Sequence, residues 1–236
     1  MGSKRGRPVL KPLWLPEGEA GRAGRDVCTA FRGDDSLSGA VEGRMELMRS
    51  MLIGNYSLSY FTGDTAPKET LDSLFQLTKC NMERLYNESD FLGGWKDRMK
   101  YRELCSRKTH IFVLHDDENA AVGFISYRFL IIDDFQPPTE VCYIYELQVD
   151  GKWRSRGVGR FLIHAAEIVA RRCGARKLMC TVLKLNARAV SFYRSKCGFV
   201  DDESDPDVID FDSRHENSFH VLKREFGDYE TPDGCH

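Results

Sequence analysis

Hydrophobic positions change their period several times along the chain, and each change marks an element. Val141 to Val149 (VCYIYELQV) and Lys177 to Leu183 (KLMCTVL) are strand-length runs of β-branched, aromatic and aliphatic residues. Between them Phe161, Leu162, Ala165, Ala166, Ile168 and Val169 recur at helical spacing up to Cys173-Gly174, where a glycine suits a helix end. Upstream, Tyr56 to Phe61 predicts a first strand. Pro67 then opens a helix carrying Leu71, Leu74, Phe75, Met82, Leu85 and Tyr86 on one side. A second helix is expected over roughly Trp95 to Leu104. Ile111 to Leu114, a turn at Asp116 to Asn119, and Ala121 to Leu130 read as a β-hairpin. Asp133 to Glu140 is a loop held by Pro137-Pro138. Downstream, Asn186 to Tyr193 predicts a fourth helix and Ser218 to Arg224 a last strand. This order predicts an α/β domain with a mixed, mostly antiparallel sheet and helices on both faces.

The first 55 residues follow none of these periods. Gly, Pro, Arg and Lys dominate residues 1–25 and Gly33 to Gly43 is loop-like, so residues 1–55 are expected to be a basic, flexible extension with a short amphipathic helix over Met45 to Leu52. The folded domain is expected over 56–226, with a flexible tail over 227–236. Lys4, Arg5, Arg7 and Lys11 suit a nuclear address or a solvated tail. At 236 residues the chain is long enough for one well-buried domain with extensions. The formal net charge of -2 gives no global steering toward nucleic acid or an anionic membrane. Eight cysteines contain no Cys-x-x-Cys pair, which predicts reduced thiols in the nucleus or cytoplasm. No apolar run approaches the 18 or so residues of a membrane span. His215 and His220 lack a third ligand at a sensible spacing, so no metal is expected. The acidic run from Asp201 to Asp207 reads as a solvated loop.

The candidate chemistry begins at Arg154-Ser155-Arg156-Gly157-Val158-Gly159, between a strand and a helix. A glycine-rich turn opening a helix aims successive backbone N–H groups, and the positive end of the helix dipole, at one place that suits a pyrophosphate. Gly157 and Gly159 allow close backbone approach, and Arg154, Arg156 and Arg160 add positive charge. The spacing lacks the third glycine of a dinucleotide fingerprint, and no Lys-Ser or Lys-Thr pair follows for a nucleoside triphosphate.

The order strand, Arg-x-x-Gly-x-Gly, helix, strand, Asn186-x-x-Ala189-x-x-Phe192-Tyr193, Gly198-Phe199 resembles the GNAT acetyltransferases, which bind acetyl-CoA. A narrower likeness rests on Leu71 to Asp97 (LDSLFQLTKCNMERLYNESDFLGGWKD), on VCYIYELQV and on TVLKLNARAVSFYR. These segments look like the N-alpha-acetyltransferase 40 family, also called NatD. That resemblance implies the GNAT fold, a monomer in the nucleus and cytoplasm, and acetyl-CoA as cosubstrate without a metal. It also implies transfer to the α-amine of histone tails that begin Ser-Gly-Arg-Gly (the H-four and H-two-A histones), with no direct nucleic-acid or membrane partner.

An α-amine has a pKa of roughly 7.7 to 8.0 and needs a base before it can attack a thioester. In strict alternation Glu146 shares a face with Cys142 and Ile144, and burial among apolar neighbours favours base behaviour in a carboxylate. The ordinary alternative is a glutamate at a sheet rim or bulge, satisfied by an arginine. The resemblance makes Glu146 the base and places Tyr145 and Tyr86 in the peptide groove, where they help deprotonate or position the amine. Tyr143 lies with Tyr145 on the other face in ideal alternation, as a substrate contact or ordinary aromatic core, and a bulge would re-aim both. Leu147 and Val149 are expected to offer backbone N–H groups to the thioester oxygen and pantetheine arm, and Arg154, Arg156, Gly157, Val158 and Gly159 to hold the phosphates. Asn186 and Tyr193 are seven residues apart and share a helix face. By resemblance the asparagine bonds pantetheine, while the tyrosine reaches the sulfur and serves as a candidate acid. Substrate positions depart from the family pattern: Leu130-Ile131-Ile132 stands where acidic residues are expected, with Asp133 and Asp134 only after a shift. The turn Phe91 to Trp95 is longer, which leaves either Phe91 or Trp95 to cover the peptide, and Phe219 stands where a substrate-contacting tyrosine is expected. The open alternatives are a lysine or small-amine acceptor, or a chromatin module that binds CoA without transfer.

Overall fold

The computed structural model describes Leu52 and residues 55–132, 139–214 and 216–227. The expected basic extension and its short helix, Asp133, Asp134, His215 and the C-terminal tail fall outside these residues, Leu52, Asn55 and Gly227 apart. Among the described residues seven strands form one sheet: β1 (Ser57–Thr62), β2 (His110–His115), β3 (Ala121–Ile132), β4 (Thr139–Val149), β5 (Lys177–Leu183), β6 (Val200–Asp201) and β7 (Phe219–Glu225). Their order is β1-β2-β3-β4-β5-β7-β6. Every neighbouring pair is antiparallel except β4 and β5, which run parallel. A parallel pair needs a crossover, and α3 (Val158–Arg172) supplies it.

Two-residue alternation splits the core into layers. On β2, Phe112 and Leu114 face α3, packing with Phe161, Leu162 and Ala166. Ile111 and Val113 point the other way, onto Leu71, Leu74 and Phe75 of α1 (Lys68–Ser89) and Leu104 of α2 (Asp97–Leu104). Helices therefore cover both faces of a mixed, mostly antiparallel sheet, as the pattern of apolar positions predicts. Each buried Leu, Ile, Val or Phe contributes about 1.5–3 kcal/mol of transfer free energy, and α3 alone buries nine residues.

Two local expectations need correction. The fourth helix, α4, is regular only over Ala187–Ser191 and widens into a π-type turn over Phe192–Lys196. The acidic run after β6 is not a plain solvated loop, because Asp202 and Asp205 are buried. Asp202 pairs with Lys177 at 2.7 Å. Asp205 accepts from the backbone N–H groups of Asp207 (2.7 Å) and Val221 (2.6 Å), capping α5 (Pro206–Ile209) and fastening it to β7.

Candidate active site

A bulge at the centre of the sheet builds the site. On β3, Ser126 pairs with Glu146 and the next residue, Tyr127, pairs with Ile144, leaving Tyr145 as the extra residue of β4. Strict alternation fails at that point. Cys142 and Ile144 pack on the α3 side, and Leu147 and Val149 follow them there. Tyr143 and Tyr145 face the α1 side. Past the bulge Glu146 and Gln148 face α1 and α2 as well, bonded to Lys100 and Asn81. The expectation that Glu146 stands with Cys142 and Ile144 is overturned, because one inserted residue exchanges the faces. The ladder to β5 stops at Ile144 and Cys180. Beyond it β4 and β5 diverge around a cleft of about 660 Å³, at the carboxyl ends of the parallel pair, a usual place for a ligand in open α/β sheets. The N–H of Asp150 bonds Val122 on β3. Period-two geometry then turns the N–H groups of Leu147 and Val149 away from β3, toward that gap.

Glu146 lines the cleft and is buried. Lys100 Nζ donates to its Oε1 at 2.8 Å, and Gln148 Nε2 donates to its Oε2 at 2.8 Å. Lys100 also pairs with Glu103 at 3.0 Å and lies 5.0 Å from the centre of the Tyr86 ring. Behind Gln148, Asn81 donates to its Oε1 at 3.0 Å and accepts from Arg154 at 2.5 Å. The carboxylate is thus not among apolar neighbours: a cation and an amide hold its two oxygens. Burial works against a charged Lys100, but Glu146, Tyr86 and Glu103 outweigh it and hold the ammonium well above the ordinary lysine range.

Aromatic residues wall the other side. Tyr86 is buried, and desolvation pushes its pKa up to about 12. A phenol that weak is neutral near pH 7, suited to positioning an amine and poor as a base. Tyr145 is raised as well, by burial first and against the opposing Arg128, whose guanidinium lies 4.4 Å from the ring centre. The Tyr143 hydroxyl shares a 2.6 Å hydrogen bond with Thr181. Of the two residues expected to cover a peptide, Phe91 lines the cleft. Trp95 packs edge-on against Tyr86 at 5.4 Å and donates from its indole N–H to Asp97. Phe219 is buried behind Phe91, ring centres 5.3 Å apart, a backing position rather than a lining one.

At the start of α3, Gly157 holds φ 89° as the N-cap, and the helix has no side-chain cap. Its first-turn N–H groups are therefore not taken by a capping side chain. Around this turn Arg154 donates to the Val149 carbonyl at 3.2 Å, Arg156 lies over Trp153, and Arg188 of α4 reaches Ser155 at 3.1 Å. At Gly159 a Cβ would sit 3.0 Å from the Phe192 ring, so its bareness also lets α3 meet the π-type turn. Val158 is buried beneath them. Asn186 and Tyr193 both line the cleft. The Asn186 Oδ1 caps α4 through the Ala189 N–H at 3.2 Å. Tyr193 is buried and burial raises its pKa well above the ordinary phenol value, so its hydroxyl keeps its proton.

Sequence reasoning missed Lys100, Glu103, Asn81, Gln148 and Arg128. One signal was present: Lys100 shares the buried stripe of α2 with Leu104, four residues on, and lysines rarely occupy such positions unpaired. His220 lies near Asp201 and Asp205, with ligand-type atoms within 4.8 Å of one another. Those carboxylates already serve Arg194 and the backbone of Asp207 and Val221.

A family model described as the acetyltransferase (GNAT) family matches residues 73–199. Among solved structures, the chain is similar to nourseothricin acetyltransferase, at 24% identity and TM-score 0.40 over 50% of this chain and 65% of that one. It therefore spans just under two thirds of that enzyme. It is also similar to a chain of the NatC complex bound to Gag peptide and CoA, at 17% identity and TM-score 0.51 over 72% of this chain and 99% of that one. The ribosomal-protein-S18-alanine N-acetyltransferase from Escherichia coli matches at 13% identity and TM-score 0.46, over 76% and 100%.

Proposed function

Because the chain belongs to the acetyltransferase (GNAT) family, we propose that it transfers the acetyl group of acetyl-CoA to the α-amine of a protein chain. The observation that carries this reading is the buried Glu146 carboxylate in a cleft between β4 and β5 that is lined also by Leu147, Asn186 and Tyr193. The residues present fit the cosubstrate. The first turn of α3 and the flanking Arg154, Arg156 and Arg188 would hold its phosphates. The gap between β4 and β5 admits a narrow arm, with Asn186 and Tyr193 on its wall. When bound, acetyl-CoA supplies an activated acyl group as a thioester.

This chain's residues then do three things. Glu146 takes a proton from the incoming ammonium, directly or through water. The N–H groups of Leu147 and Val149 are fixed dipoles that stabilise negative charge as it develops on a carbonyl oxygen in the cleft. Tyr193 keeps a hydroxyl proton to offer to the departing sulfur. Tyr86, Tyr145 and Phe91 form an aromatic entrance for the chain end carrying the amine. Among α-amine acceptors, the NatD-like segments favour histone tails beginning Ser-Gly-Arg-Gly.

The test is acetyl transfer from labelled acetyl-CoA to two Ser-Gly-Arg-Gly peptides, one with a free and one with a blocked N-terminus. Label on the free peptide alone is the expected result, with a peptide bearing an acidic second residue left unlabelled. Label on both would make lysine an acceptor, and label on neither would remove the histone reading. Glu146→Gln should lower kcat on the order of 100-fold; turnover near wild type would remove Glu146 as the base.

A further inference from the structure

We propose that Lys100 is a positioning residue for this site: its ammonium aims the Glu146 carboxylate into the cleft and sets the pH range over which turnover proceeds. The proposal rests on the reading of Glu146 as base. Lys100 Nζ lies 2.8 Å from Glu146 and 3.0 Å from Glu103, and its side chain is only 4% exposed. Stability alone does not account for a lysine there, since a buried ion pair is about as stable as, or less stable than, apolar residues of the same volume. On the same stripe Leu104 is an ordinary core residue, and a methionine at 100 would extend that stripe without desolvating a charge. What the lysine adds is direction. With Oε1 taken by Lys100 and Oε2 by Gln148, and Gln148 held by Asn81, the carboxylate has one orientation.

The charge environment is closed enough for a single cation to matter. Tyr86 of α1, Lys100 and Glu103 of α2, Tyr145 and Gln148 of β4, and Tyr193 after α4 all line the cleft with Glu146. Arg128 of β3 stands behind the Tyr145 ring. An ammonium in contact favours the ionised form of a carboxylate, and its removal in a buried site favours the protonated form.

The experiment compares the full-length wild type with Lys100→Met, Lys100→Arg, Glu146→Gln and the double variant Lys100→Met/Glu146→Gln. The measurements are kcat against pH and KM for acetyl-CoA, per folded molecule. Lys100→Met should move the acidic limb of the kcat profile upward by about one pH unit or more, lowering kcat about tenfold on that limb, with KM for acetyl-CoA little changed. Lys100→Arg should restore the limb. In the Glu146→Gln background, Lys100→Met should lower kcat no further. A Lys100→Met enzyme with wild-type kcat and an unmoved limb would overturn the proposal while Glu146→Gln still reports on the base. If Lys100→Met does not fold, the double variant, which removes both charges of the Lys100–Glu146 pair, decides: turnover equal to Glu146→Gln supports positioning, and a further loss overturns it.

Discussion

His110 shows how far a buried position moves a single group. Its ring stacks on Tyr127, centres 5.3 Å apart, and its Nδ1 lies 2.6 Å from the Tyr60 hydroxyl. Burial pushes its pKa down to about 4. The unfolded chain binds that proton near the ordinary value of 6.5. Stability from this residue is therefore complete above pH 6.5, falls as pH drops through the interval to about 4, and is flat below it. The loss is on the order of 3 kcal/mol. Urea unfolding across that interval should show the slope, and His110→Phe should remove it. The same desolvation keeps Tyr86 and Tyr193 protonated.

At the scale of elements, the site depends on two interruptions of regular structure. The bulge at Tyr145 bends β4 off β5 and exchanges the faces, so that Glu146 meets α2 rather than α3. The other interruption is the start of α3, where Gly157 sits in the left-handed region, and a Cβ there would lie 3.3 Å from Leu52. An alanine at 157 is strained in that conformation by about 1–2 kcal/mol. Gly157→Ala should lower the unfolding free energy by that amount and raise KM for acetyl-CoA, since the turn must shift to relieve the strain. A drop in stability with unchanged KM would separate this turn from cosubstrate binding.

Over the whole molecule, buried ion pairs tie the second half of the sheet together. Lys177 at the start of β5 and Asp202 after β6 meet at 2.7 Å, and Asp202 also accepts from the Ser204 N–H and hydroxyl. Burial opposes the charge on Asp202, but Lys177 and Ser204 prevail and hold its carboxyl below the ordinary value. Asp202→Asn leaves the Lys177 ammonium buried without its counter-charge and should cost about 3–5 kcal/mol, read from urea unfolding. A cost under about 1 kcal/mol would mean the lysine escapes to water.

Much of this architecture was legible in the chain because it rests on local period. Alternation over β2 and β5, helical spacing over α1 and α3, and Pro67 and Gly174 at helix ends are properties of neighbouring residues, and hydrophobic burial turns them directly into layers. The glycine turn before α3 and the Tyr143-x-Tyr145-Glu146 strand were legible as motifs. The surroundings of the base were not. Whether Glu146 meets apolar core or Lys100 depends on one unpaired residue at Tyr145, and pairing is decided between strands rather than along one. Lys100, Asn81 and Gln148 come from α2, α1 and β4, and their partnership exists only once those elements pack. Local period specified the sheet and its helices; three-dimensional packing decided which charge faces the cleft, because electrostatic partners act across space without regard to sequence separation.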